Sequence, residues 1–140
     1  LADRSWRASK TNPFLRMSLQ GKNNRLQVGK DVLRILGAPK YITFRVNKQM
    51  DSILIESVEA KHSLSFKVPA AVMEGSEKQM YITSESFVIG LMVRNGLDVT
   101  KTYEIPGIYS EKNNAVVFKF EDCELYMDDN GRERDQGVSD

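Results

Sequence analysis

Lys22, Arg25, Lys30 and Arg34 share one short stretch of the chain in which Asp31 is the only acid. Arginine offers a planar, permanently charged fork and lysine a mobile point charge, so cations at this spacing suit phosphate oxygens, and arginine also suits base edges. Other chemistry-bearing residues are sparse. His62 is the single histidine; it stands in a polar turn with no visible partner, whereas general acid–base catalysis needs a positioned one. Cys123, the single cysteine, can form neither an internal disulfide nor a zinc site, and its acidic neighbours in EDCEL disfavour a thiolate. The sequence holds no nucleophile elbow, phosphate-cradling glycine loop or metal-spaced ligand set. The expectation is a protein that is not an enzyme and carries no cofactor and no metal.

The basic residues are unevenly spread. The formal net charge is only +1, yet residues 1–48 hold eleven Lys and Arg against two Asp, and the remainder holds nine against seventeen acids. From residue 17 to 48 the cations are Lys22, Arg25, Lys30, Arg34, Lys40, Arg45 and Lys48, with Asp31 as the one acid. Such a division implies an anionic partner on one face and an acidic face or tail elsewhere. Glu121, Asp122, Glu124, Asp128 and Asp129 gather near the C-terminus. They read as a solvated end, or as a region that binds a protein partner or masks the basic surface. A chain of 140 residues with 41% hydrophobic content fits one domain. No apolar run approaches the roughly 18 residues that span a bilayer, and LADRSWRASK lacks a signal-peptide core, so a cytoplasmic location is expected. Met17 is a candidate start, and little weight falls on what precedes it.

The elements that must position these residues follow from periodicity. Residues 14–20 alternate as a strand, GKNN supplies a turn, and Leu26 and Val28 mark a second short strand. Asp31 precedes VLRIL, whose Val32, Leu33, Ile35 and Leu36 make the apolar face of a helix of two to three turns, stopped by Gly37 and Pro39. Residues 41–58 read as a hairpin around NKQMDS. The order then recurs: KQMYIT is a strand and Ser84 is an N-cap. The helix that follows puts Phe87, Leu91 and Met92 on one face and ends at Gly96. Residues 102–120 form a hairpin with Val116, Phe118 and Phe120 alternating. Pro106 and Gly107 argue for an edge or a bulge in its first strand. The aromatics Tyr41, Phe44, Tyr103, Tyr109, Phe118 and Phe120 read as core and cross-strand packing in preference to a base-stacking platform. The predicted fold is α+β, mainly β, a barrel-like core from two β-α-β-β repeats with short helices. Residues 1–13 form a flexible basic N-terminus. One domain at 14–126 has two similar halves, 14–60 and 78–126, joined by a structured connection at 61–77, and 127–140 is a flexible acidic tail.

NRLQVGKDVLRILG resembles the signature of the AbrB/SpoVT swapped-hairpin family, with Arg25, Leu26, Val28, Asp31, Val32, Arg34, Leu36 and Gly37 in register. The hairpin YITFRVNKQMDSILIE is similar to that family's paired strands, so the resemblance covers about residues 15–58. It implies a DNA-binding protein in which two copies interleave to close a barrel-like core; a chain carrying both copies would be a fused pseudo-dimer, as a monomer or as a homodimer. Asn24 stands where the family has glycine, Gly29 where it has proline, and Leu33 in place of one helix arginine. The second copy has Gln79 and Val88 where the first has Arg25 and Arg34. One chain thus offers one basic half, and either two chains pair their basic halves or the surface contacts something other than duplex DNA.

Two functions are expected on these grounds. The first is a DNA-binding transcription regulator contacting phosphates and base edges through Lys22, Arg25, Lys30 and Arg34. The alternative is a protein-interaction module, antitoxin-like or an inhibitor protein, with no DNA binding.

Overall fold

The computed structural model describes residues 12–59, 61 and 65–126. His62, Asp128 and Asp129, the expected basic N-terminus up to residue 11 and the expected tail at 127–140 lie outside the described residues. Among the described residues are nine strands, β1 (Asn12–Gln20), β2 (Arg25–Gly29), β3 (Tyr41–Val46), β4 (Ser52–Val58), β5 (Ser65–Lys67), β6 (Gln79–Thr83), β7 (Thr102–Ser110), β8 (Ala115–Lys119) and β9 (Glu124–Leu125). The α-helices are α1 (Lys30–Ile35), α2 (Ala70–Glu74) and α3 (Glu85–Arg94). The fold is α+β and mainly β. No helix among the described residues is long and apolar enough to cross a membrane.

All pairing is antiparallel, in one curled sheet of order β5-β3-β4-β8-β7-β1-β2-β6, with β9 added beside β7. The order strand, helix, hairpin occurs twice, as β2-α1-β3-β4 and β6-α3-β7-β8. The segment β5-β3-β4-β8-β7-β1 reads the same from either end once β1 and β5, β3 and β7, and β4 and β8 are exchanged. Equivalent strands also meet each other. Gln27 faces Tyr81, 54 positions later, at the centre of the β2–β6 pair, and Leu54 faces Val117, 63 positions later, at the centre of β4–β8. The second copy gains its extra residues between those points, partly in a helix of 10 residues against 6. Among the described residues the sheet does not close into a barrel, and β5 and β6 are its two edge strands.

Alternation along the strands sets the core. Met17 and Leu19 of β1, Leu26 and Val28 of β2, Ile53 and Ile55 of β4, Ile105 of β7 and Val116 and Phe118 of β8 are fully buried. Burying each such side chain contributes about 1.5–3 kcal/mol before conformational entropy is counted.

The helix α1 is shorter than the two to three turns expected. Gly37 and Ala38 both take positive φ, 96° and 52°, and the Gly37 and Ala38 N–H groups return to the Arg34 and Leu33 carbonyls at 2.9 Å. This left-handed cap closes the helix after Ile35. Val32, Leu33 and Leu36 face the core, while Ile35, expected on the same face, is 36% exposed. The Ser84 side chain caps α3 by accepting from the Phe87 N–H at 3.4 Å, and Gly96 follows the helix with φ 71°. Pro106 and Gly107 sit at a bulge but not at an edge: β7 is an interior strand, and the register against β1 shifts between Asn12, opposite Gly107, and Arg16, opposite Pro106.

Candidate nucleic-acid interface

The antiparallel β2–β6 pair decides where the four cations fall. At one end of it, the Lys30 N–H donates to the Lys78 carbonyl at 3.0 Å, where β2 passes into α1. At the other, the Ser84 N–H donates to the Asn24 carbonyl at 2.9 Å, where β6 passes into α3. Two equivalent bonds thus place α1 and α3 at opposite ends. Lys22, in the 3-10 turn Gly21–Asn23, and Arg25 lie at the α3 end, and Lys30 and Arg34 at the α1 end. Arg25 and Arg34, close in the sequence, are thus placed toward opposite ends of the β2–β6 pair. Four strand steps from Arg25 to Gly29 span about 13 Å before the helix begins.

Between these ends runs a polar outward face. Because Leu26 and Val28 point inward, Arg25, Gln27 and Gly29 point out, beside Arg16, Ser18 and Gln20 of β1 and Gln79, Tyr81 and Thr83 of β6. Gln20 is 1% exposed and organises the α3 end. Its Oε1 accepts from Arg25 Nε at 3.1 Å, Arg25 Nη2 at 3.0 Å and Asn23 Nδ2 at 3.4 Å, while its Nε2 donates to Gln27 Oε1. The Arg25 guanidinium also lies 4.3 Å over the Tyr81 ring, a geometry that holds the cation without neutralising it. Arg25 is therefore fixed by neutral partners.

At the α1 end the face opens into a cleft of about 320 Å³, lined by Phe14, Arg16, Ser18, Gln27, Gly29, Lys30, Asp31, Lys78, Gln79 and Glu104. Arg16 pairs with Glu104. Lys30 and Lys78, 48 positions apart in sequence, meet here, and neither ammonium has an acidic partner among the described residues. Phe14 is 74% exposed. Arg34 stands outside the cleft, exposed, 3.8 Å from Asp31 in an i,i+3 pair of little energetic weight. Leu33, at the place of a family arginine, is fully buried, and this position presents no cation.

Arg45 and Lys48 lie elsewhere. Arg45 of β3 pairs with Glu56 of β4 at 2.9 Å, and Lys48 lies in the β3–β4 turn, near the C-terminal end of α3 where Arg94 Nε donates to the Gln49 carbonyl at 3.3 Å. Charge that is contiguous in sequence is dispersed by the fold.

The expected core role of the aromatics holds for Phe118 and Phe120, which are buried, and for Phe44, Tyr103 and Tyr109, which pack against the core, while Tyr41 is half-buried. The Tyr103 and Tyr109 hydroxyls are engaged, Tyr103 Oη by the Asp98 N–H at 3.0 Å and Tyr109 Oη donating to Asn114 Oδ1 at 2.7 Å. The rings that line the polar face are instead Phe14 and Tyr81, together with Lys78 and Gln79 from the second copy. Only Phe14's position in an alternating strand, on the face opposite Met17 and Leu19, could have marked it in advance.

The described residues contain no group of three or more histidine, cysteine or acidic side chains that could hold a metal. Burial raises the pKa of Cys123, and Glu124 and Asp122 raise it further. No family model, no curated protein and no solved structure matches the chain.

Proposed function

We propose that this chain is a DNA-binding protein of regulatory type that meets DNA on the outward face of β1, β2 and β6. Lys22 and Arg25 make contacts at one end, Lys30 and Lys78 at the other, and Arg34 beyond the cleft. The observation that carries the reading is the meeting of Lys30 and Lys78 at the cleft, joined by a backbone hydrogen bond just beyond the β2–β6 ladder, with neither ammonium in a salt bridge among the described residues. Two ammonium groups on one cleft attract an anion that bridges them. The backbone at the two substituted family positions also supports the reading. Asn24 has φ 54°, the left-handed conformation in which glycine is favoured, and Gly29 has φ −71°, close to the value that proline imposes.

The test is a salt titration of binding to fluorescent DNA. Each phosphate contact contributes about 0.7 to 0.9 to the slope of log K against log salt. Lys30→Ala/Lys78→Ala is therefore expected to reduce that slope by roughly 1.4 to 1.8, and to weaken binding at low salt. Absence of any affinity for DNA at low ionic strength would overturn the reading.

A protein-interaction module is the second reading, favoured by the unpaired edges of β5 and β6. Phe66 on β5 and Tyr81 on β6 are 40% and 44% exposed, and unpaired strand edges recruit extended segments of other chains. It requires a stoichiometric protein partner whose capture survives the Lys30/Lys78 substitutions.

A further inference from the structure

Phe14 is the most exposed large apolar side chain among the described residues, and it does not stand alone on the surface: it lines the same 320 Å³ cleft as Lys30, Lys78, Gln27, Gln79 and Asp31. A volume near the lower limit of ligand pockets, about 300 Å³, suits one nucleotide-sized group. The chemistry of the lining is divided. Two ammonium groups suit phosphate. An aromatic face suits a base ring. The glutamine amides and the Asp31 carboxylate suit the donors and acceptors of a base edge. In a duplex that set cannot be used together, because base faces are stacked and Watson–Crick edges are paired; an unpaired strand presents all three. Asp31 sharpens the distinction, since a carboxylate at a pure phosphate site repels its ligand, whereas beside a base it accepts from an exocyclic amine.

We infer that the cleft beside α1 is a site for one unpaired nucleotide of single-stranded DNA, with its base stacked on Phe14 and its flanking phosphates on Lys30 and Lys78. This rests on the DNA-binding reading above and narrows it to single strands. Gly29 keeps the site open. Its backbone, φ −71° and ψ 154°, is one that any residue adopts, and an added Cβ would meet nothing closer than the Arg16 carbonyl oxygen at 3.5 Å. Gly29→Ile is therefore a blocking variant that leaves every charge in place.

The experiment is fluorescence anisotropy at pH 8 with a twelve-residue oligodeoxycytidine, an unstructured single strand of about the length such surfaces cover whose bases carry an exocyclic amine, and with a blunt duplex of equal length, at low salt. The full chain is expected to bind the single strand more tightly than the duplex. Phe14→Ala should weaken single-strand binding about five- to a hundredfold and leave duplex binding unchanged, and Phe14→Trp should restore it. Gly29→Ile should reproduce the loss, with circular dichroism confirming that each variant is folded. Equal binding of both probes with no effect of Phe14→Ala would overturn the inference while leaving DNA binding intact. Conversion of a dimer to a monomer by Phe14→Ala, with single-strand affinity unchanged, would overturn it too and assign the ring to contact between copies. If neither probe binds, the DNA-binding reading itself fails.

Discussion

Arg25 and Cys123 show how one side chain's neighbours set what it can do. Arg25 gives two hydrogen bonds to the buried Gln20 amide and stacks on Tyr81, so its charge is pre-oriented but not cancelled, and its outer edge stays available for an anion. Lys30 and Lys78 differ in kind, being mobile point charges outside any salt bridge among the described residues. Cys123 is held the other way. Burial first, then the carboxylates of Glu124 and Asp122, favour the neutral thiol and raise its pKa. Because only the thiolate is nucleophilic, alkylation by iodoacetamide at pH 8 should be slower than for a cysteine in an unstructured peptide and should accelerate at higher pH. Glu124→Gln should shift that rise toward lower pH by relieving part of the repulsion. An alkylation profile identical to the free peptide's would show that neither burial nor charge acts on the thiol.

Among the elements, β7 and α3 contain glycines with opposite requirements. A Cβ at Gly107 would stand 2.6 Å from Val116 Cγ1 and 2.8 Å from Phe118 Cε2, in the tightly packed bulge where β7 crosses from β1 to β8. Gly107→Ala is expected to destabilise the fold by about 1–3 kcal/mol through overpacking. Gly90, in the exposed middle of α3, meets nothing within 4 Å. There alanine should stabilise by about 0.5–1 kcal/mol, since glycine loses more backbone freedom in a helix. Urea denaturation of the two variants checks both signs. The bulge also explains how Pro106 fits an interior strand: a residue without an N–H is accommodated where the ladder is already interrupted. Proline and glycine together announce the interruption in sequence, but an edge would announce itself in the same way.

At the scale of the molecule, the two copies are interleaved and not placed side by side. β1 of the first copy pairs with β7 of the second, β5 pairs with β3, and β2–β6 and β4–β8 join equivalent strands. Neither copy can bury its apolar face alone, so unfolding should be one cooperative event. Leu26→Ala on β2 and Ile55→Ala on β4 should each cost about 2–5 kcal/mol and lower a single midpoint shared by far-ultraviolet and near-ultraviolet circular dichroism. Two separable transitions would show that the halves are independent. The same interleaving builds the cleft: Lys78 and Gln79, from the second copy, complete what Lys30 of the first begins.

Local patterning in the sequence determined the elements. Alternation at Met17, Leu19, Leu26 and Val28, the Ser84 cap and the glycines at 37 and 96 act within a few residues of themselves, and each specified its strand, helix or stop without help from the rest of the chain. The repeat, too, was legible from the recurrence of strand, helix and hairpin. Only the tertiary structure decided which cations share a surface. The four residues from Lys22 to Arg34 are close in sequence, but a five-residue strand is extended, and it carries its two ends to opposite sides of the face. Antiparallel pairing with β6 then supplies Lys78 from 48 positions away. Phe14 joins it there from a strand that registers with both β2 and β7. Proximity along a strand and proximity across a sheet differ in this way because a strand advances about 3.3 Å per residue, whereas neighbouring strands lie only about 4.8 Å apart.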